Sequence, residues 1–456
     1  MTTSWLDKAV FYHIYPLGLV GAPHKNDFTG AVNQRFEDLY PWLDHIHSLG
    51  FNALYLGPIF ESTSHGYDTV DYYQVDRRLG DNQSMARFAD AVHQRGMKLV
   101  LDGVFNHVGR EFWAFKDLLV KGENSAYRDW FSSIRFGERS SFGDPFNYEG
   151  WHGHQSLVKL NLSHPHVRAH LFDAIKMWVD RFAIDGLRLD AADAIDFEFL
   201  RALHDFTKSL RSDFWLMGEV VHGDYRKWAN PDRLDSVTNY QSYKGLYSSL
   251  IDGNYFEIAH SLNRQFGPKG IYRDLQLYNF VDNHDVDRVA SKLKSTALLF
   301  PLYLLLFTMP GIPSVYYGSE WGIEGAKEPW SDAPLRPYLN LHETSSHAPE
   351  AHLAGTLQKL ISIRSSSKAI SSGEYAQLLV KDRQFIFTRK AVDETVIVAL
   401  NSAPQQVEVE VDMHGQPGDW FDVLNDKKSI VSFDGKLKLA LSPTWGMILT
   451  NKKGQG

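Results

Sequence analysis

The sequence predicts an α/β protein: a (β/α)8 barrel with an irregular subdomain inserted after the third strand and a carboxyl-terminal antiparallel β-sandwich. Short β-like runs alternate with longer helical patterns, which is typical of a parallel sheet with helical crossovers. Residues 108–165 interrupt this alternation and are too long for an ordinary connection. From about residue 366 the pattern changes to short strands. We therefore expect barrel segments 1–107 and 166–365, an insertion at 108–165 and a sandwich at 366–456.

Eight segments of the first part read as strands, if a weaker candidate at Ser236–Tyr240 is counted. Eight parallel strands favour a closed barrel over an open sheet. In chain order the candidates are Val10–Tyr15, Ala53–Leu56, Lys98–Leu101, Gly186–Asp190, Phe214–Met217, Ser236–Tyr240, Leu275–Val281 and Ser314–Tyr316.

The intervening segments carry apolar residues at helical spacing, and glycines such as Gly50 and Gly96 follow two of them as helix ends often require. The most apolar stretch, Thr296–Met309, is too short to span a bilayer and reads as a buried helix. The predicted helices are Phe36–Leu49, Met85–Gln94, Val167–Phe182, Phe197–Leu210 and segments around 243–263 and 288–307.

The insertion is rich in aromatic residues separated by Gly, Asp and Asn turns. The last part of the chain has alternating strands such as Gln384–Thr388, Thr395–Leu400 and Val407–Val411, with no evident helix. Turn residues between short alternating strands are typical of a β-sandwich.

Composition excludes several functions. The chain has 456 residues, a net charge of −8 and no cysteine. It offers no basic face, so nucleic acid and anionic membranes are not expected partners. Without cysteine there is no disulfide framework, thiolate metal site or cysteine nucleophile. The amino terminus lacks a basic segment followed by an apolar run, so we expect a cytoplasmic protein.

Ionisable residues follow four of the predicted strands, where the active residues of a (β/α)8 barrel lie. A lone aspartate at such a place is more often structural, but four strand ends meeting at one mouth favour a catalytic cluster. Arg188 and the histidines would shield the carboxylates, which would otherwise repel one another. The segments are Asp102–His107 (DGVFNH), Gly186–Asp190 (GLRLD), Gly218–His222 (GEVVH) and Phe280–Asp285 (FVDNHD).

These four segments resemble, in order and spacing, the conserved segments of the α-amylase family of retaining α-glucan-active enzymes. The resemblance continues at His65–Asp68 after the second strand and at Gly311–Gly318 around the eighth. It covers essentially the whole chain, including the insertion and the carboxyl-terminal module.

The resemblance implies that Asp190 is the nucleophile, Glu219 the general acid and base, and Asp285 a third carboxylate that holds sugar hydroxyls. Two carboxyl groups about 5–5.5 Å apart give retention by double displacement. Glu219 must be protonated, so burial and Asp190 should raise its pKa. Arg188, two residues before Asp190, is placed to keep Asp190 ionised.

Further roles follow by position. His107 and His284 would donate to hydroxyls of the reacting sugar, and Tyr67 would stack under its ring. Asp102 would be a partner of Arg188, and for Asp102 and Asp68 a purely structural strand-end carboxylate is the alternative.

One asparagine, Asn106, corresponds to a calcium ligand in many family members, and Asp129 or Asp144 could add to it. One ligand is not a site, because calcium needs six to eight oxygens. No cofactor is required for the chemistry, and a structural calcium ion stays open.

Departures from the family pattern point to one branch. Endo-acting α-amylases carry Lys-His where this chain has Asp193 and Ala194. His222 three residues after Glu219, and Asp332 with Arg336 for the next sugar, resemble the cyclomaltodextrinase, neopullulanase and maltogenic-amylase branch. A surface ion pair is the alternative for Asp332 and Arg336.

Two features differ from that branch. It usually has an extra amino-terminal β-domain, whereas this chain starts almost directly with the first barrel strand. Its short signature in the insertion is here Leu157–Asn161, which departs at the first two positions.

The expected function is hydrolysis of short linear or cyclic α-gluco-oligosaccharides, mainly at α-1,4 bonds with tolerance of α-1,6 bonds. A transglycosylase or disaccharide isomerase of the same family is the nearest alternative. A binding protein with a dead barrel is disfavoured because all three carboxylates are present. A metal-dependent hydrolase using His107, His222 and His284 would leave Arg188 without a role. Whether the protein is a monomer or a homodimer stays open.

Overall fold

The computed structural model describes residues 5–413, 419–425, 429–432 and 434–452, and its centre is a closed barrel of eight parallel strands. Hydrogen bonds join the strands in the order β6-β5-β4-β3-β2-β1-β8-β7, and a parallel bridge between Thr238 and Tyr278 joins the two remaining edges. The predicted barrel is therefore confirmed. Its strands are β1 (Phe11–Ile14), β2 (Ala53–Leu56), β3 (Lys98–Gly103), β4 (Gly186–Leu189), β5 (Trp215–Gly218), β6 (Ser236–Val237), β7 (Tyr278–Asn279) and β8 (Ile312–Tyr316).

Two strands are shorter than the sequence pattern indicates. β6 and β7 have two residues each, where the pattern predicted five and seven. Just beyond β6, a side-chain hydrogen bond continues the link to β7: Asn239 Nδ2 donates to Asn279 Oδ1 at 2.8 Å. The backbone nitrogen of Asn239 also donates to the Tyr278 carbonyl oxygen at 2.8 Å, and the ladder ends there.

The helices agree with the pattern except where glycine or a change of direction divides them. The segment around 243–263 forms two helices because Gly253 between them adopts a left-handed φ of 66°. The segment 288–307 is likewise divided, and its second helix is buried as expected. The main helices are Tyr40–Leu49, Asn82–Gln94, Pro165–Phe182, Phe197–Leu210, Tyr240–Ile251, Phe256–Phe266, Val289–Lys292, Leu299–Thr308 and Leu353–Ser366.

No helix in the described ranges combines the length and apolarity needed to cross a bilayer.

The insertion after β3 is more regular than the sequence indicated. It contains the helix Trp113–Lys121, a three-stranded antiparallel sheet, a two-stranded antiparallel sheet of Arg135–Phe136 and Phe146–Asn147, and short pieces of 3-10 helix. The strands of the three-stranded sheet are His107–Gly109, Gly150–Trp151 and His154–Lys159. These strands are short and turns separate them, so the alternation of apolar and polar residues is too brief to predict them from the sequence.

A hairpin after β2, formed by Phe60–Ser62 and Thr69–Val75, was not predicted. Its pairing register shifts on both sides of Glu61, and such bulges break the two-residue alternation on which strand prediction depends.

The carboxyl-terminal part is an antiparallel sandwich of a six-stranded and a two-stranded sheet. The expectation of no helix was wrong, because Lys368–Ser372 forms one turn of helix that Ser367 caps. The described strands are Glu374–Val380, Gln384–Ala391, Glu394–Asn401, Val407–Asp412, Asp419–Asp422, Ser429–Val431, Lys436–Leu441 and Trp445–Thr450.

A buried arginine of this sandwich reaches into the barrel. Arg389 Nη1 donates to the Thr308 carbonyl oxygen at 2.7 Å, and its Nη2 donates to the Gly373 carbonyl oxygen at 2.9 Å. Thr308 is the last residue of its helix, whose terminal carbonyl oxygens need such donors. Burial, with the nearby charge of Arg364, lowers the pKa of Arg389 to about 9.

Candidate active site

A cavity of about 450 Å³ opens at the carboxyl ends of the barrel strands, between the barrel and the insertion. Residues that follow seven of the strands, β2 to β8, line it, together with Trp151, His152 and Leu157 of the insertion sheet's hairpin. The lining includes Tyr67, His107, Trp151, His152, Asp190, Glu219, Tyr240, Asp285, Lys327, Asp332 and Arg336.

One guanidinium group holds three carboxylates at the base of this cavity. Arg188 lies on β4, and its Nη1 donates to Asp102 Oδ1 and to Asp190 Oδ1, both at 2.9 Å. Its Nη2 lies 2.8 Å from Glu219 Oε2. β4 is buried on both faces, and the Arg188 side chain on it is only 4% exposed. Asp190 and Glu219 are thus fixed relative to one another by a single planar ion.

The turn after Asp190 adds a second link between the two strand ends. Ala191 has a left-handed φ of 46°, which is unfavourable for a residue with a Cβ atom. The backbone nitrogen of Ala191 donates to Glu219 Oε2 at 3.1 Å, so this strained turn carries one of the donors that position the Glu219 carboxyl group.

Burial raises the pKa values of both Asp190 and Glu219. For Asp190, the charges of Glu219 and Asp102 raise the pKa further, and Arg188 opposes them. For Glu219, Arg188 lowers the pKa and Asp285 raises it, with burial prevailing. Arg188 lowers the pKa of Asp190 as expected, but this guanidinium is shared among three carboxylates, and burial outweighs its effect. The two carboxyl groups titrate as a pair, and this pair holds a proton to higher pH than an exposed carboxyl group does.

Asp285 has the opposite electrostatics. Burial alone would raise its pKa, but His284 and Arg336 lower it more strongly, so the pKa lies below its ordinary value. His284 Nε2 lies 2.9 Å from Asp285 Oδ2, and Arg336 Nη2 donates to Asp285 Oδ1 at 2.8 Å. Asp285 is therefore an anion in the free enzyme.

Ion pairs line one end of the cavity. Arg336 Nη2 donates to Asp332 Oδ2 at 3.2 Å, and Lys327 Nζ lies 3.0 Å from Asp332 Oδ1. The predicted pair of Asp332 and Arg336 lines the cavity and extends the charge network of Asp285.

Tyr67 lies at the cavity wall, and its hydroxyl contacts both Asp102 and His284. Its ring is parallel to the His284 ring, at a centroid distance of 5.4 Å. His284 is thereby engaged by protein groups on its Nε2 atom, rather than free to donate to a sugar from it. Asp68 does not line the cavity: it accepts hydrogen bonds from the backbone nitrogen and the hydroxyl of Ser64, and so shapes the loop.

Two buried nitrogen atoms of cavity-lining residues lack a hydrogen-bond partner in the described structure: His107 Nε2 and Trp151 Nε1. His107 Nε2 lies 3.8 Å from Asp190 Oδ2. Burial lowers the pKa of His107 to about 4, so the ring is neutral near pH 7. A buried polar atom without a partner is costly, and hydroxyl groups of a ligand would satisfy both atoms.

Several cavity residues were missed from the sequence. Tyr240 donates from its hydroxyl to Glu219 Oε1 at 3.4 Å, and it is the last residue of the weakest predicted strand. Trp151 and His152 come from a hairpin whose two turn residues, His152 and Gly153, both have positive φ values of 46° and 84°. The pair His-Gly at such a turn is a weak hairpin signal, which Asn-Gly or Asp-Gly would have made strong.

His222, which was predicted to contact the substrate, is not part of the cavity. His222 is exposed and does not line the cavity, so His107, His222 and His284 do not form a ligand set. Across the residues that can be described, no group of three or more His, Asp or Glu side chains is arranged to hold a metal ion.

The donors around Asn106 do not fit calcium. The Asn106 amide nitrogen lies 3.2 Å from His107 Nδ1. Asp144 is bound by both terminal nitrogens of Arg110 at 2.8 and 2.9 Å, and the Asp129 side chain is 71% exposed. No described contact brings Asp129 or Asp144 to Asn106, so these residues do not supply the six to eight oxygens that calcium requires.

Comparison with known proteins agrees with this geometry. Residues 38–348 match the alpha amylase catalytic domain. The chain is 32% identical to neopullulanase 2 of Thermoactinomyces vulgaris, over 99% of this chain and 79% of that protein. It is 30% identical to a cyclomaltodextrinase of a Bacillus species, over 88% of this chain and 73% of the relative.

Among solved structures, the cyclic alpha-maltosyl-(1→6)-maltose hydrolase of Arthrobacter globiformis superposes with a TM-score of 0.81 at 26% identity. The match covers 99% of this chain and all of that one. The family match and the relatives therefore indicate the same family as the segments that follow the barrel strands. The chain belongs to the alpha-amylase family of glycosidases, in the group whose members are named cyclomaltodextrinase and neopullulanase.

Proposed function

We propose that this enzyme hydrolyses short linear or cyclic α-gluco-oligosaccharides with retention of configuration, mainly at α-1,4 bonds and with tolerance of α-1,6 bonds. The observation that carries the proposal is the arrangement around Arg188, which fixes Asp190 and Glu219 at one cavity beside the anionic Asp285. The names of the relatives support oligosaccharides of this kind as substrates.

The mechanism uses the shared proton of the carboxyl pair. Glu219 carries the proton and donates it to the glycosidic oxygen as the bond to the leaving sugar breaks. Asp190, as the carboxylate, attacks the anomeric carbon to form a glucosyl ester. Glu219, now ionised, takes a proton from water, which attacks the same carbon and releases the sugar and Asp190. Raised pKa values for both groups agree with one proton held between them.

The surrounding residues would orient the reacting ring. Asp285 and the unpartnered nitrogens of His107 and Trp151 lie where they can bond hydroxyl groups. Tyr67 presents an aromatic wall to the ring. Asp332 and Arg336 would bind the next sugar at the end of the cavity that their ion pair lines.

A product time course tests this function. The purified enzyme is offered maltotriose, panose, β-cyclodextrin, starch and sucrose, and the products are followed by chromatography and NMR. We expect α-anomeric maltose or glucose from the oligosaccharides and slow cleavage of starch. New linkages, or an isomerised disaccharide without net hydrolysis, would instead support the transglycosylase or isomerase. Initial β-anomeric products would contradict retention.

Chelation is expected to leave the enzyme intact, because the donors around Asn106 do not form a calcium site. If calcium bound the folded protein, a free calcium concentration of 100 times the Kd would add about 2.7 kcal/mol to the free energy of unfolding. Exhaustive dialysis against EDTA, followed by measurement of kcat and Tm with and without added calcium, checks this. A fall in Tm that calcium reverses would show that the ion is needed.

A further inference from the structure

The most exposed aromatic residue described lies at the rim of the active-site cavity. Trp330 is 98% exposed and occupies the tip of a two-residue hairpin. Glu328 and Ser331 close this hairpin with two backbone hydrogen bonds of 3.1 and 3.3 Å. The residues on either side of the hairpin, Lys327 and Asp332, both line the cavity.

The hairpin is held in place at both ends. The backbone nitrogen of Lys327 donates to Asp287 Oδ1 at 2.7 Å, and its side chain pairs with Asp332. Asp332 is fixed in turn by Arg336, which also binds Asp285. Trp330 lies two residues from Asp332, so their Cα atoms are within about 7 Å. The backbone that carries the indole is therefore held beside this end of the cavity.

We propose that Trp330 is a stacking platform for a third glucose ring of the substrate, counted from the reacting ring past the ring bound by Asp332 and Arg336. The inference rests on the proposed function. A chain of contacts runs from Asp285 through Arg336 and Asp332 to this hairpin, so a glucan leaving the cavity at this end passes the indole. A rigid, flat and apolar ring is the side chain best suited to the apolar face of a sugar.

The platform makes the enzyme sensitive to chain length. A linear substrate must place three rings on this side of the cleaved bond to reach Trp330, and at least one ring on the other side. Maltotriose is too short, whereas maltotetraose and longer chains can reach it. Binding energy from the third ring should therefore appear only for the longer substrates.

The test compares KM values for maltotriose and maltohexaose in the wild type, Trp330→Ala and Trp330→Phe. We expect the ratio of KM for maltohexaose to KM for maltotriose to rise about fivefold in Trp330→Ala, the size of one aromatic contact. Trp330→Phe should retain most of the wild-type ratio. Val120→Ala, an exposed apolar residue of the insertion, serves as the control surface variant.

A second measurement separates this inference from the proposed function. Calorimetric titration of maltotriose and maltohexaose into Asp190→Asn, with and without Trp330→Ala, gives Kd values without turnover. An unchanged length dependence in both experiments would overturn the platform. So would a change in molecular mass by light scattering in Trp330→Ala, because Trp330 would then contact a second copy. A wild type that cleaves none of the oligosaccharides would refute the proposed function, while the titration would still test Trp330.

Discussion

Replacing Asp190 by asparagine is expected to lower kcat by about 10⁴-fold or more, which is the order of loss when a nucleophile is removed from a covalent mechanism. The amide cannot form the glucosyl ester, yet it preserves the shape of the side chain and the acceptor for Arg188 Nη1. Steady-state hydrolysis of maltotriose, with circular dichroism to verify folding, measures the effect.

The matched control is Asp193→Asn, which changes an exposed carboxylate at the mouth of the same cavity. Its effect on kcat should stay below about tenfold, since Asp193 touches none of the three carboxylates in the described contacts. Mass spectrometry adds an independent readout: a fluorinated α-glucosyl fluoride should leave a covalent sugar on Asp190 of the wild type and none on Asp190→Asn. An Asp190→Asn enzyme with near-normal kcat would refute the mechanism.

The second large effect is expected for Arg188→Met, which removes the cation shared by Asp102, Asp190 and Glu219. Breaking a buried ion pair by deleting one partner costs about 3–5 kcal/mol, because the other charges stay buried without compensation. Urea unfolding at pH 8 should show a loss of this size in the free energy of unfolding. Activity should be lost with it, because the carboxyl pair loses its common anchor.

The same variant should be less damaged at lower pH. Without Arg188 the pKa values of Asp190 and Glu219 rise further above those of the unfolded chain. Above the unfolded pKa the unfolded chain loses protons that the folded protein retains, so stability falls as pH rises. The loss caused by Arg188→Met should therefore be smaller at pH 5 than at pH 8.

A surface pair provides the comparison. Arg95 binds Asp44 at 2.7 Å, but the Asp44 side chain is 71% exposed, so Arg95→Met should cost less than about 1 kcal/mol. Adding Asp102→Asn to Arg188→Met should recover part of the lost stability, because it removes one of the unpaired charges. Equal losses in the free energy of unfolding for Arg95→Met and Arg188→Met would show that removing Arg188 leaves no uncompensated charge in the buried cluster.

The fold could be predicted from the sequence wherever one regular period dominated. The strand Ala53–Leu56 and the helix Phe197–Leu210 have the predicted bounds, because an apolar run and a strong amphipathic pattern define them. The hairpin after β2 escaped prediction because bulges break its alternation. The one-turn helix Lys368–Ser372 escaped because it is too short to show a period.

The candidate site was predictable where a residue directly follows a strand, since all barrel strands end at the same mouth. Asp190, Glu219 and Asp285 come together for this reason. Residues supplied by irregular segments, such as Trp151 and Tyr240, carry no comparable signal. The sharing of Arg188 among three carboxylates depends on the separation of the strand ends in space, which one-dimensional spacing does not contain.

The arginine that links the sandwich to the barrel has a consequence for how the chain folds. Arg389 donates only to carbonyl oxygens in the contacts described, and those oxygens belong to Thr308 at a helix end of the barrel and to Gly373 at the junction. If the sandwich separated from the barrel, the Arg389 guanidinium and the Thr308 carbonyl oxygen would lose their hydrogen bond, and a buried polar group without a partner is costly. We therefore expect the sandwich and the barrel to unfold together as one cooperative unit rather than as independent modules.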